Sequence, residues 1–132
     1  MELKQEIKTE TRGEIKATGF ASPAMGYEAD GIDLNRLLIQ NPPATFFARL
    51  DSGDMAGLGL PRGALLIVDR SKEPGPGAFA LIRQEGQFLC RLMLIEKGRA
   101  IFTNGISDII PDGETEIVGT VTASVKTYDN AD

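Results

Sequence analysis

The stretch Ala44–Asp69, ATFFARLDSGDMAGLGLPRGALLIVD, sets two apolar runs on either side of a loop rich in glycine, aspartate and proline. The second run, Ala64–Val68, is five consecutive apolar residues closed off by Gly63 and Asp69. It is too short for a stable helix and ends in β-branched Ile67 and Val68, so it reads as a strand buried on both faces. ATFFARL, residues 44–50, reads as another strand, and the loop between the two carries Gly53, Gly57, Gly59 and Pro61 as breakers.

The same grammar continues downstream. AFALIRQ, GQFLCRLMLI, RAIFTN and TEIVGTVTASVKTY are apolar runs separated by the turn signals EPGPG, EGQ, EKGR and IPDGE. Upstream, IDLNRLLIQNPP predicts one short helix over Asp33–Gln40, with Asp33 as N-cap, Leu34, Leu37 and Leu38 as the apolar face, and Pro42-Pro43 as the stop. Ahead of it, ATGFASPAMGYEADG is a breaker-rich passage. Six candidate strands and one helix predict a mostly-β domain of curved antiparallel sheets, with strands at Ala64–Asp69, Phe88–Leu94 and Ile117–Lys126. The apolar stretch IVGTVTASV has no charge or proline to guard it before Lys126, so as an exposed edge it is expected to pair across a two-fold in a homodimer.

Residues 1–18 read as an arm and residues 19–132 as the body. Charges of alternating sign occupy every even position from Glu2 to Lys16, with Leu3, Ile7 and Ile15 on odd positions. An extended strand and a helix both accommodate this spacing. Thr9, Thr11 and Gly13 are poor helix formers and favour the extended arm.

Composition narrows the function. The chain has 132 residues, a formal charge of −5 and no cluster of Lys or Arg, which argues against direct nucleic-acid binding through phosphate neutralisation. Cys90 is the single cysteine, so no internal disulfide forms. The absence of histidine excludes Ser-His-Asp and Cys-His chemistry and histidine-based metal sites, and the reading includes no metal and no cofactor. No apolar run reaches the roughly 18 residues of a membrane span, and the N-terminus is charged where a signal peptide would be apolar. The expected location is the cytoplasm.

The order of the pieces GFASPA, IDLNRLLIQNPPATFFARL, LPRGALLIVD, GQFLCRLMLI and IVGTVTASVK resembles the LexA/UmuD family of self-cleaving S24-type peptidases, from about Gly19 to Lys126. Too little chain precedes this region for a helix-turn-helix reader, which favours the UmuD-like branch over the repressors. The resemblance implies a dimer of a curved β-fold with an N-terminal arm. It implies that a RecA filament on single-stranded DNA stimulates cutting of the arm at a Cys-Gly bond, and that the shortened dimer then joins a Y-family polymerase in translesion synthesis during the SOS response to DNA damage. It further implies a Ser-Lys dyad, with the serine in a Gly-Asp-Ser-Met segment and the lysine on a later strand.

Neither catalytic residue type stands where the resemblance places it. Asp54 follows Gly53 and precedes Met55 in the serine slot, and Arg91 occupies the lysine slot thirty-seven residues on. A Ser-Lys dyad needs a hydroxyl nucleophile and a base that can be neutral near pH 7, and arginine keeps its proton throughout that range. An arginine among apolar neighbours needs a partner, so Asp54 and Arg91 are expected to meet as an ion pair, and truncating the arginine to strand a buried carboxylate. The other reading has Arg91 in solvent and Asp54 capping a short helix. Ser52 lies two residues upstream, about 6–7 Å along the chain and too far for the same base. Lys97 falls in a solvated turn, and Cys90 should point to the strand face opposite Arg91, as a core residue. At the position equivalent to the scissile bond, Thr18 precedes Gly19, and a β-branched residue fits a tight cleavage pocket poorly.

The expected function is a UmuD-like accessory protein that binds an error-prone polymerase or the RecA filament and does not cut itself. The alternatives are an active RecA-stimulated self-cleaving serine peptidase and a non-catalytic partner of a competent paralogue.

Overall fold

The computed structural model describes residues 31–129. The chain divides into two units, residues 1–40 and 41–132, each described here by itself. In the first, α1 spans Leu34–Leu38. The Asp33 carboxylate accepts from the backbone N–H groups of Asn35 and Arg36, which is the capping expected of it. The helix is shorter at both ends than Asp33–Gln40, and Leu34 and Leu37 are exposed rather than buried.

The second unit is one seven-stranded antiparallel sheet that does not close. Its strands are β1 (Thr45–Arg49), β2 (Leu65–Asp69), β3 (Phe79–Gln84), β4 (Gln87–Glu96), β5 (Arg99–Thr103), β6 (Asp108–Ile109) and β7 (Thr115–Val125), in the order β1-β2-β7-β3-β4-β5-β6. All six expected strands form, and two-residue β6 adds a seventh. The mostly-β antiparallel fold is therefore the one the sequence predicts. Pro42-Pro43 does more than stop a helix, because both prolines sit in a 3-10 turn that feeds β1. The hairpin turns at Glu85-Gly86 and Lys97-Gly98 have positive φ at both residues, the backbone that two-residue antiparallel loops favour.

Apolar residues on the two faces form two clusters. Met55, Leu60, Leu66, Val68, Leu81 and Cys90 gather on one, with Phe46, Ala48 and Phe79 packed against them. Ala80, Ile82 and Phe102 gather on the other, with Leu89, Met93 and Ile109 around them. The alternation Leu81/Cys90 against Ile82/Leu89 shows β3 and β4 buried on both faces, as their unbroken apolar runs require.

The position of β7 corrects one expectation. Ile117–Val125 is central rather than an edge, lying between β2 and β3. Only Thr122–Val125 keeps one side without a strand among the described residues, because β3 pairs with β7 no further than Val121. The edges are β1 and β6. Register shifts at Ile67/Val68 and Leu81/Ile82 against β7 mark bulges, which bend the strands they interrupt. Gly119 lies beside the first of these, where a Cβ would stand 2.7 Å from the Asp69 carbonyl oxygen and 3.1 Å from Arg70 Cα. Gly119→Ala is expected to lower stability by about 1–3 kcal/mol, since backbone rather than a mobile side chain must move. Urea titration followed by circular dichroism reads this, and an unchanged midpoint contradicts it.

Candidate functional site

The loop between β1 and β2 is built from its glycines and one buried methionine. Met55 is fully buried in the first cluster, and its carbonyl accepts from the N–H groups of Leu58 and Leu60. A 3-10 turn over Ala56–Leu58 follows, closed by Gly59 at φ 95°, a left-handed conformation that a side chain would strain. This anchoring fixes the preceding residues, Ser52, Gly53 and Asp54, at the mouth of a cleft of about 670 Å³. Phe46, Leu66 and Leu81 line its apolar part, and Phe88 to Arg91 of β4 line one wall.

Asp54 and Arg91 meet there. Arg91 Nη2 lies 3.1 Å from Asp54 Oδ2, a charge-assisted contact. The other guanidinium nitrogen, Nη1, donates to the Cys90 carbonyl at 2.8 Å. On the far side, Ser52 Oγ donates to Asp54 Oδ1 at 2.7 Å. The three side chains thus form one chain of contacts, Ser52 to Asp54 to Arg91. The Ser52 link is what the sequence reading missed. Distance along the backbone separates Ser52 from position 54, but the turn folds its hydroxyl back onto the Asp54 carboxylate. A Ser-Gly-Asp segment is itself a signal for such a turn, because aspartate and serine bond locally across two residues.

Burial is one-sided. The Arg91 side chain is 10% exposed and that of Asp54 36%. The pair is therefore not the fully buried one expected, and a carboxylate left behind by Arg91→Ala could still be hydrated. Truncation at Arg91 costs packing and one charged hydrogen bond rather than the desolvation of a stranded ion.

Cys90 belongs to the first apolar cluster, as alternation along β4 predicts. Burial pushes its thiol up to about 11, with Asp54 raising it further and the Arg91 charge pulling the other way. A thiol held protonated is a poor nucleophile. Lys97 is exposed in its turn, with φ 51°. Thr18 and Gly19 lie outside the described residues, as does the arm.

The chemistry open to this arrangement is limited. A carboxylate already accepting from a guanidinium and a hydroxyl has little basicity left for drawing a proton from serine, and a guanidinium holds its own proton. No group of three or more potential metal ligands occurs among the described residues, and no helix there is long and apolar enough to cross a membrane.

Comparison with known proteins places the chain among peptidases in sequence. A family model described as peptidase S24-like matches residues 13–122. The chain is 32% identical to protein SamA of Salmonella typhimurium over 108 residues, covering 81% of this chain and 77% of that one. It is 30% identical to protein MucA of Escherichia coli over 114 residues, 83% of this chain and 78% of that one. With protein ImpA of Escherichia coli it shares 36% identity over 83 residues, 63% of this chain and 57% of ImpA.

Proposed function

We propose that this chain, which belongs to the peptidase S24-like family, acts as a UmuD-like accessory subunit of SOS mutagenesis that binds and does not cut itself. The observation that carries the reading is the joined pair. At the two positions where the resemblance puts a nucleophile and its base, the side chains are a carboxylate and a guanidinium 3.1 Å apart. In this reading the chain works in the cytoplasm as a homodimer and presents its surface to a Y-family translesion polymerase and to the RecA filament. The half-open side of β7 at Thr122–Val125 is the stretch of strand available for pairing across the two-fold. The retained fold and the changed dyad positions together support binding as the surviving role. Residues 1–18 then remain attached as an arm, since Thr18-Gly19 is not cut.

Purified wild-type chain, incubated with RecA filament on single-stranded DNA and nucleotide, or alone at alkaline pH, is expected to keep its full mass. Intact-mass spectrometry over a day checks this. Spontaneous loss of the first 18 residues with no other protease present defeats the non-cleaving reading. Co-purification of a Y-family polymerase with the tagged chain tests the binding role separately.

A further inference from the structure

We infer that Arg91 is a latch on the open edge of β4, and that the cleft takes an extended peptide strand along that edge when the latch is released. This rests on the reading of the chain as a binding subunit and names the form of ligand its cleft accepts. β3 pairs with Gln87–Leu92 of β4, whereas β5 pairs only with Leu92–Glu96. Among the described residues, then, Gln87–Arg91 has a strand on one side alone. In an antiparallel ladder, successive residues direct their N–H and C=O groups to opposite sides. Met93 exchanges bonds with Gly77 and Ala78 on the β3 side. Phe88 and Cys90, out of phase with Met93, therefore direct their backbone groups to the open side.

That side is where the Arg91 guanidinium lies. Its Nη1 donates to the Cys90 carbonyl at 2.8 Å, the position an N–H of an added strand would take. Asp54 holds Nη2 at 3.1 Å, and Ser52 holds Asp54. The arginine thus satisfies, from within its own strand, an acceptor that the sheet leaves unpaired. Across the cleft, β1 is an edge strand with the same property. Its flanking residues Ala44 and Leu50 bond towards β2, so Thr45, Phe47 and Arg49 direct their backbone groups away from the sheet. Between the two edges lie Phe46, Leu66 and Leu81. Unpaired backbone beside an apolar floor is the recognition surface of strand addition, in which main-chain bonds give affinity and alternate apolar side chains fill the floor. The guanidinium seated on the Cys90 carbonyl shows what belongs there, a hydrogen-bond donor from an extended main chain.

The test uses the full chain and a fluorescent, end-blocked octapeptide of alternating valine and threonine, read by anisotropy. Wild type is expected to bind it weakly. Arg91→Met keeps the length and packing of the side chain but frees the carbonyl, and is expected to bind about 10–100-fold tighter, the worth of one charge-assisted hydrogen bond removed from competition. Arg91→Lys, whose single ammonium cannot hold Asp54 and the carbonyl in one fork, is the second variant and should give an intermediate rise. Amide shifts in the bound state should centre on Phe88, Leu89 and Cys90. Equal or weaker binding by either natively melting variant, or no binding by any form, overturns the latch. Intact mass is unaffected by this outcome, so failure here is distinguishable from failure of the non-cleaving reading.

Discussion

The double change Asp54→Ser with Arg91→Lys is expected to turn a chain that stays whole into one that releases residues 1–18, whereas each single change leaves it intact. The expectation follows from what each side chain can do with a proton. Asp54→Ser supplies a hydroxyl at the end of the Met55-anchored loop, but the facing Arg91 cannot accept its proton near neutral pH. Arg91→Lys supplies a group that can be neutral, but Asp54 opposite keeps it charged and offers no hydroxyl. Only the pair of changes removes the carboxylate that would pin the lysine as an ammonium and lets burial draw its pKa down. A positioned nucleophile and general base contribute about 10²–10⁴-fold over the same site lacking proton transfer. Below the lysine pKa the rate should climb about tenfold per pH unit, because the neutral amine is the active form, and then level off. Intact-mass spectra at several pH values read this directly. A double variant that stays whole through alkaline pH, while melting normally, means that the two positions are not the dyad's. Cleavage by either single variant means that a different residue supplies the missing function.

The largest effect expected on stability is at Phe102, away from the cleft. It is 1% exposed in β5 and packs with Ala80, Ile82, Leu89 and Met93 on the second face of the sheet. Phe102→Ala should lower stability by about 3–5 kcal/mol, through lost burial and a cavity that β-sheet neighbours cannot collapse to fill. Against a total of about 5–15 kcal/mol for a domain, that leaves a substantial unfolded population on warming. Thermal melts should drop by more than ten degrees, on the order expected for a domain of this size. A shift of only a few degrees means that the second cluster is less tightly packed than its burial implies.

These particulars show where the sequence was legible. Unbroken apolar runs bounded by glycine, such as Ala64–Val68, carry enough local information to name a strand, because only a doubly covered strand needs them. Alternation along Phe88–Met93 likewise placed Cys90 in the core and set Arg91 against it. The partnership of β7 was not legible. TEIVGTVTASVKTY reads equally well as an edge or a centre, since which strands flank it is decided by residues 46 to 55 positions away. The Asp54–Arg91 contact was legible through charge balance, its half-exposure was not, and the Ser52 hydroxyl was misjudged because contour length ignores the fold of a turn.

The central place of β7 has a consequence for how the protein is made. As the chain leaves the ribosome, β1 and β2 emerge first and the β3–β6 meander next, yet β2 and β3 are not neighbours in the sheet. Nothing joins the two halves until Thr115–Val125 arrives and pairs with both. Until then, each nascent half carries an unpaired, apolar flank at β2 and at β3. Completion is thus postponed to the last tenth of synthesis, and folding waits on the closure of long loops that slow it. A product of premature termination lacking this segment is two open half-sheets rather than a slightly shortened domain, and it falls to the chaperones and proteases that patrol unfinished chains.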